Sequence, residues 1–154
     1  MEVVRAGEEH IDRVIDLWEQ LAGSHEALDE AYARCNGAGA IFRTYARQCM
    51  EAPDTRVFVC LENERVLGYA IVAIQLHPPL VADRAYGFVD NLVVDLLERR
   101  KGVGTLLVES AVEWFESCDV KKVELEVAEA NESGLAFWRS QGFGDFQRTL
   151  LRKL

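Results

Sequence analysis

The sequence predicts an α+β fold in which a mixed, mostly antiparallel sheet carries helices on both faces. Apolar residues switch between the helical and the strand period in the order βααβββαβαβ. Residues 56–61 and 66–74 have the pattern of an antiparallel hairpin. A buried strand at 88–94, an amphipathic helix and a strand at 121–127 follow one another, which predicts a right-handed parallel crossover.

The first half of the chain is expected to supply an N-terminal strand, two helices and the hairpin. The first helix spans residues 8–22, with apolar residues at helical spacing, and Gly23 is expected to end it. The second helix covers residues 42–50. Loops are expected at 24–39, where glycines flank a turn, and at 77–86, where two prolines break the strand pattern.

The second half is expected to close with a strand, a helix and a terminal strand. Residues 121–127 alternate between charged and apolar, which is typical of a strand with one polar face. Asn131 is a favourable N-cap for a helix that reaches Gln141 and ends at Gly142. Residues 143–154 then provide strand material.

Composition limits the classes of function. The 154 residues, 49% of them hydrophobic, predict a single domain spanning 1–154 with a real core. No apolar run approaches the roughly 20 residues of a membrane span, and no apolar leader follows Met1, so we expect a cytoplasmic protein without a membrane partner. A net charge of −9 argues against nucleic acid and is compatible with a cationic substrate. The histidines and cysteines share no ligand spacing, so no metal is expected.

The junction between the strand at 88–94 and the next helix has the features of an anion site. Free N–H groups at a helix start and the positive end of the helix dipole favour phosphate. Gly102 and Gly104 let the backbone come close to a ligand, and the basic residues 99–101 add charge. An ordinary strand–helix turn remains the alternative. The Walker A and Rossmann patterns do not fit, because Leu106 follows Thr105 and a third glycine is missing.

Three segments of the second half carry a resemblance to a known family. Residues 99–104, RRKGVG, match the pattern Arg/Gln-x-x-Gly-x-Gly/Ala, and the strand DNLVVD at 90–95 precedes them. Residues 131–143, NESGLAFWRSQGF, match Asn-x-x-Ala-x-x-Phe-Tyr-x-x-x-Gly-Phe with one inserted residue. The chain thus resembles the GNAT family of acyl-CoA-dependent N-acetyltransferases. The resemblance implies a sheet of six to seven strands, splayed between strands 4 and 5.

The resemblance also implies acetyl-CoA as co-substrate, without a metal. Its diphosphate would lie on the backbone N–H groups from 100 to 105, and its pantetheine arm would pair with residues 92–94 like an added strand. Asn131 would hydrogen-bond the arm and Phe137 would pack on it. The expected cofactor-binding residues are Leu92, Val93, Val94, Arg99, Arg100, Lys101, Gly102, Val103, Gly104, Thr105, Asn131 and Phe137.

The implied reaction, attack of a neutral amine on the thioester, needs a base. Asp90 on the buried central strand is the first candidate and Glu126 on the adjacent strand is the second; a structural carboxylate and a solvated strand face are the respective alternatives. Many members of the family place a tyrosine, acting as an acid, where this chain has Trp138, and an indole N–H is not a usable acid. The expected substrate-contacting residues are His25, Tyr32, Tyr86 and Trp138.

The sequence therefore predicts an N-acetyltransferase that moves an acetyl group from acetyl-CoA to a primary amine of a small molecule or peptide by direct attack. A catalytically silent CoA-binding sensory or regulatory domain is the alternative suggested by Trp138. A nucleotide-binding module that uses the same basic loop is a further one. Because the family often forms dimers, the resemblance also allows a homodimer.

Overall fold

The computed structural model describes residues 1–154 and contains one five-stranded sheet with helices on both faces. The strands lie in the order β1-β2-β3-β4-β5; neighbours are antiparallel except β4 and β5, which are parallel. None of the helices is both long and apolar enough to cross a membrane. In chain order the elements are β1 (Glu2–Arg5), α1 (Ile11–Glu26), α2 (Ala38–Glu51), β2 (Thr55–Glu62), β3 (Arg65–Leu76), β4 (Ala85–Val94), α3 (Val103–Ser117), β5 (Val123–Leu125) and α4 (Glu132–Ser140), with short 3₁₀ turns at Glu8–His10, Glu30–Tyr32 and Leu96–Glu98.

The predicted fold class is confirmed, but the sheet has five strands, not six to seven. Residues 143–154, expected to form a terminal strand, have no regular structure. A terminal strand added beside β5 would have only a short ladder, because β5 is three residues long. Helix α1 also runs past Gly23 to Glu26, because this glycine keeps a negative φ and is tolerated within the helix.

The core has two layers, one on each face of the sheet. Helices α1 and α2 cover one face and α3 covers the other. Strand β3 is buried on both faces: Tyr69 and Ile71 point to the α1/α2 layer, while Ala70 and Val72 point to α3. A strand covered on both faces needs a nearly continuous apolar sequence, which VLGYAIVAI supplies at 66–74.

The middle of β4 contains a β-bulge. Val89 pairs with Val72 and Asn91 pairs with Ile71, so Asp90 has no partner in β3. On its other side β4 pairs with β5 only from Gly87 to Val89. The predicted separation of the fourth and fifth strands is therefore present, and it begins at the bulge.

Candidate active site

The second half of β4 has an open backbone edge. The Asp95 N–H donates to the Leu67 carbonyl at 2.9 Å, so this position faces β3. Backbone groups alternate in direction along a strand, so Leu92 and Val94 direct theirs away from β3, to the side where β5 has ended. Val93 faces β3 and its side chain is buried in the α1/α2 layer. Two of the three residues at 92–94 thus offer hydrogen-bonding groups to an added strand.

The loop after β4 presents a cluster of free N–H groups. From residue 100 to residue 105 no backbone N–H donates a hydrogen bond within the chain; Leu106 is the first to join the helix, donating to Gly102 at 3.0 Å. The N-cap, Gly102, has no side chain to occupy these donors. They lie at the positive end of the 15-residue helix α3. This arrangement is suited to a phosphate ligand.

Different features of the structure explain why a glycine stands at each of two positions in the loop. Gly102 has a φ of +89°, and an added Cβ would meet no atom within 4 Å. Gly104 is helical, but an added Cβ would lie 3.0 Å from the Phe137 ring and 3.6 Å from a methyl group of Val94. Close packing of α4 on the loop therefore accounts for Gly104. It also brings Phe137, from the second motif, beside the first motif and the end of β4.

The basic side chains of the loop are not equivalent. Lys101 Nζ donates to Glu98 at 2.8 Å, and Arg65 from β3 contacts the same carboxylate at 3.2 Å. Arg99 Nε lies 3.4 Å from the Val94 carbonyl oxygen. Arg100 makes no ion pair and has a φ of +66°, which is uncommon outside glycine. Positive charge available to a ligand therefore comes mainly from Arg99 and Arg100.

A buried carboxylate fixes the end of β4. Asp95, 5% exposed, accepts the Leu97 N–H at 3.0 Å and pairs with Arg13 of α1 and, at 3.6 Å, with Arg65 of β3. The Leu97 hydrogen bond, followed by the charges of both arginines, holds the pKa of Asp95 below its usual value despite burial. These contacts tie the end of β4, just before the loop, to α1 and β3. Sequence analysis did not identify this carboxylate.

Asn131 caps α4 and keeps one free donor group. Its Oδ1 accepts from the Gly134 N–H at 3.0 Å and from the Ser133 hydroxyl at 3.2 Å. Its Nδ2 has no partner within the chain. The predicted cap is thus present, and the amide N–H₂ is available to a ligand. Gln141, at the other end of α4, reaches Thr105 Oγ1 at 3.4 Å and links α4 to the start of α3.

Asp90 is exposed, although it belongs to the central strand. The bulge turns it out of the ladder, and its Oδ2 accepts from Tyr45 Oη at 2.8 Å and from Asn91 Nδ2 at 2.7 Å. Its Oδ1 has no partner. Burial, followed by hydrogen bonds with Cys49 and Asp90, raises the pKa of the Tyr45 phenol far above its usual value, so this phenol is a donor at neutral pH.

A cleft of about 290 Å³ leads to Asp90. In it the His25 and Tyr32 rings lie 5.3 Å apart, between centroids. The structure thus joins Asp90 to two of the predicted substrate-contacting residues. The cleft is lined by Trp18, Leu21, Ala22, His25, Tyr32, Arg34, Asp90 and Asn91. Sequence analysis did not identify Trp18, Arg34 or Asn91 as residues of a cleft, because periodicity in one chain does not show which residues border a cleft.

Tyr86 lies outside this cleft. Its ring stacks on His77 at 4.1 Å, and its hydroxyl donates to Gln75 at 2.7 Å. His77 in turn contacts Glu124 of β5 at 3.1 Å. The loop at 77–86 and β5 are therefore joined by a polar cluster that sequence analysis did not anticipate, since it depends on the pairing of β3, β4 and β5.

Trp138 and Glu126 also lie apart from the cleft. Trp138 packs edge-on against Phe137 and Phe143, with ring centroids 5.1 and 5.2 Å away, beside the α3 layer. Glu126 is exposed and follows the last residue of β5, Leu125. Of the two candidate bases, only Asp90 lines the cleft.

Comparison with known proteins identifies the family and the fold. The sequence profile described as "Acetyltransferase (GNAT) family" matches residues 16–143, and the chain belongs to that family. N-alpha-acetyltransferase 30 of Xenopus laevis is 30% identical over 86 residues, which are 56% of this chain but only 30% of that protein. Two solved structures share the fold. The BH1408 protein from Bacillus halodurans, as a tetramutant, has a TM-score of 0.89 at 22% identity, over 100% of both chains. Aminoglycoside N-acetyltransferase AAC(6')-Iy, in complex with CoA, has a TM-score of 0.74 at 14% identity, over 99% of this chain and 98% of that one.

Proposed function

We propose that this protein transfers the acetyl group of acetyl-CoA to a primary amine of a small molecule or peptide, by direct attack of the amine on the thioester. One observation carries the proposal. The open edge of β4 runs from a free N–H cluster at the start of α3 to an exposed carboxylate, Asp90, in a cleft. A phosphate-bearing thioester and an amine can thus meet along a single strand.

The residues present fit acetyl-CoA. The diphosphate would be held by the N–H groups from 100 to 105, with Arg99 and Arg100 supplying charge. The pantetheine arm would pair with Leu92 and Val94 as an added strand. Asn131 Nδ2 would donate to the arm from the other side. Acetyl-CoA supplies the thioester, and the chain supplies its orientation.

Asp90 is the proposed base. Its Oδ2 is held by Tyr45 and Asn91, which leaves Oδ1 free to accept a proton from the amine, directly or through a water. Since both donors fix the carboxylate, little reorganisation is needed when the amine arrives. Glu126 remains a second candidate base, for an amine that approaches from the end of β5. We also propose that the protein is cytoplasmic and that it forms a homodimer, as is common in the family.

A CoA-binding sensory or regulatory domain without catalysis is the second candidate. It is favoured by Trp138, which stands at the family's usual tyrosine position and packs between Phe137 and Phe143. If the protein is instead an acetyltransferase, the reaction has to proceed without an acid at this position. That is chemically acceptable, because a thiol with a pKa of about 8.5 leaves tolerably as a thiolate.

Release of free thiol from acetyl-CoA, followed with and without a panel of primary amines, distinguishes the two candidates. The acetyltransferase proposal expects at least one amine to raise thiol release well above hydrolysis, with acetylated amine detected by mass spectrometry. Tight CoA binding without turnover of any amine would support the sensory domain. Preference for ATP over acetyl-CoA in a binding titration would contradict both and indicate a nucleotide-binding module.

A further inference from the structure

We infer that the cleft selects a primary amine with a single positive charge and one aromatic or large aliphatic group, and that it disfavours polycations. The inference deepens the proposed function and rests on it for the identity of the site. It follows from the charges that are free in the cleft, the side chains of its walls and its volume.

The cleft has only one free carboxylate. Asp90 is the single acidic residue that lines it. Two acids of α1, Glu19 and Glu26, are both bound to the guanidinium of Arg34, which itself lines the cleft. Arg34 Nε and Nη2 each lie 2.9 Å from a Glu26 oxygen, and this contact lowers the pKa of Glu26. A second ammonium group would therefore meet a guanidinium rather than an unpaired carboxylate.

Part of the wall beside Asp90 is apolar and aromatic. Trp18 is fixed by stacking on Phe42, with the rings 4.6 Å apart and nearly parallel. Leu21 follows one helical turn later, and Tyr32 also lines the cleft. These side chains stabilise the binding of an apolar group, because such a group gains free energy when it leaves water.

The volume of the cleft also favours a small amine. At about 290 Å³ the cleft is at the lower limit of ordinary ligand pockets, which hold roughly 300–1,000 Å³. A second cavity of about 190 Å³ adjoins it at Tyr32 and is lined mainly by apolar side chains, among them Leu28, Ala128 and Leu151. Two acids, Asp29 and Glu129, line this second cavity, and neither lines the cleft that contains Asp90. One ring on a short linker is of a size that the cleft beside Asp90 can hold.

The test compares kcat/KM for four probes at a fixed acetyl-CoA concentration: phenylethylamine, a dipeptide amide with N-terminal phenylalanine, spermidine and kanamycin. We expect at least one of the first two to exceed both polycations by tenfold or more. The first two probes show whether the apolar amine is a free amine or a peptide terminus. A higher kcat/KM for spermidine or kanamycin would overturn the inference while leaving the acetyltransferase proposal intact.

Substitution of Tyr32 tests whether its ring contributes to the preference for an apolar amine. Tyr32→Ala should lower kcat/KM for the better apolar amine by about tenfold, mainly through KM, with KM for acetyl-CoA unchanged. Tyr32→Phe keeps the ring and should recover most of that loss. Equal kcat/KM values in wild type and Tyr32→Ala would contradict the assignment of Tyr32 to the wall that contacts the amine. If no amine is acetylated, melting temperatures measured with CoA present test the selectivity of the cleft separately. A larger stabilisation by phenylethylamine than by spermidine supports the selectivity although the enzyme proposal fails. The reverse order refutes the selectivity as well.

Discussion

Replacing Gly102 by Asp tests the anion site with little damage to the fold. The residue has a φ of +89°, and an added Cβ would meet nothing within 4 Å. The cost to stability is then backbone strain of about 1–2 kcal/mol, at the low end for Asp and Asn, which tolerate this conformation best. The folded protein should persist, with its N-terminal α3 donors still in place.

The effect on binding is larger, because the new carboxylate stands among the N–H groups that would hold the diphosphate. Two like charges about 5 Å apart repel by roughly 1.7 kcal/mol at an effective dielectric constant of about 40. A diphosphate with about two charges then loses about 3 kcal/mol, which is roughly a 150-fold weaker Kd for CoA. Gly102→Asn has the same size and backbone strain without the charge, so it is the matched control.

Calorimetric titration with CoA measures both variants. We expect Gly102→Asn to remain within about tenfold of wild type and Gly102→Asp to bind roughly 150-fold more weakly than Gly102→Asn. The ratio between the two should shrink in 1 M salt, where charges are screened within about 3 Å. Equal affinity of both variants at low salt would refute the placement of the diphosphate at this helix start.

Three other substitutions test the rest of the structure. Asp90→Asn should lower kcat at neutral pH by about 100-fold or more with little change in KM for acetyl-CoA, and intact turnover would make Asp90 structural. Asp95→Asn should destabilise the fold at pH 7 by about 1–3 kcal/mol in urea denaturation. The folded pKa of Asp95 is depressed, so its contribution to stability is complete above its unfolded pKa of about 3.9 and is lost as pH falls through the lower folded value. The difference in free energy of unfolding between wild type and Asp95→Asn should therefore narrow as pH falls below about 4. A difference independent of pH would contradict this. Gly87→Ala would place a Cβ 2.7 Å from the buried ring of Phe115 and should cost about 1–3 kcal/mol, and an unchanged melting temperature would contradict that packing.

The regular elements of the fold could be predicted from the sequence because they depend on local patterns. The apolar face of α3, the hairpin of β2 and β3 and the Asn131 cap each follow from residues a few positions apart. The length of β5 and the irregular path of 143–154 could not be predicted, because they depend on which sheet edges are free. The bulge at Asp90 is likewise a matter of register between β3 and β4.

The backbone of the loop at 99–104 was the most predictable part of the candidate site. Free N–H groups at a helix start are a property of the local backbone, and Gly102 marks the position that needs a positive φ. The cleft was less predictable. Tyr45 meets Asp90 across 45 positions of sequence, and Arg34 engages Glu19 and Glu26 across a loop, so residue type alone does not show these partnerships.

A crystal structure with CoA bound would test the central claim most directly. We expect phosphate oxygens within hydrogen-bonding distance of the backbone N–H groups between 100 and 105, and the pantetheine arm paired with Leu92 and Val94 so that its thiol ends near Asp90. A CoA molecule bound elsewhere, with the start of α3 and the open edge of β4 both free, would contradict the account.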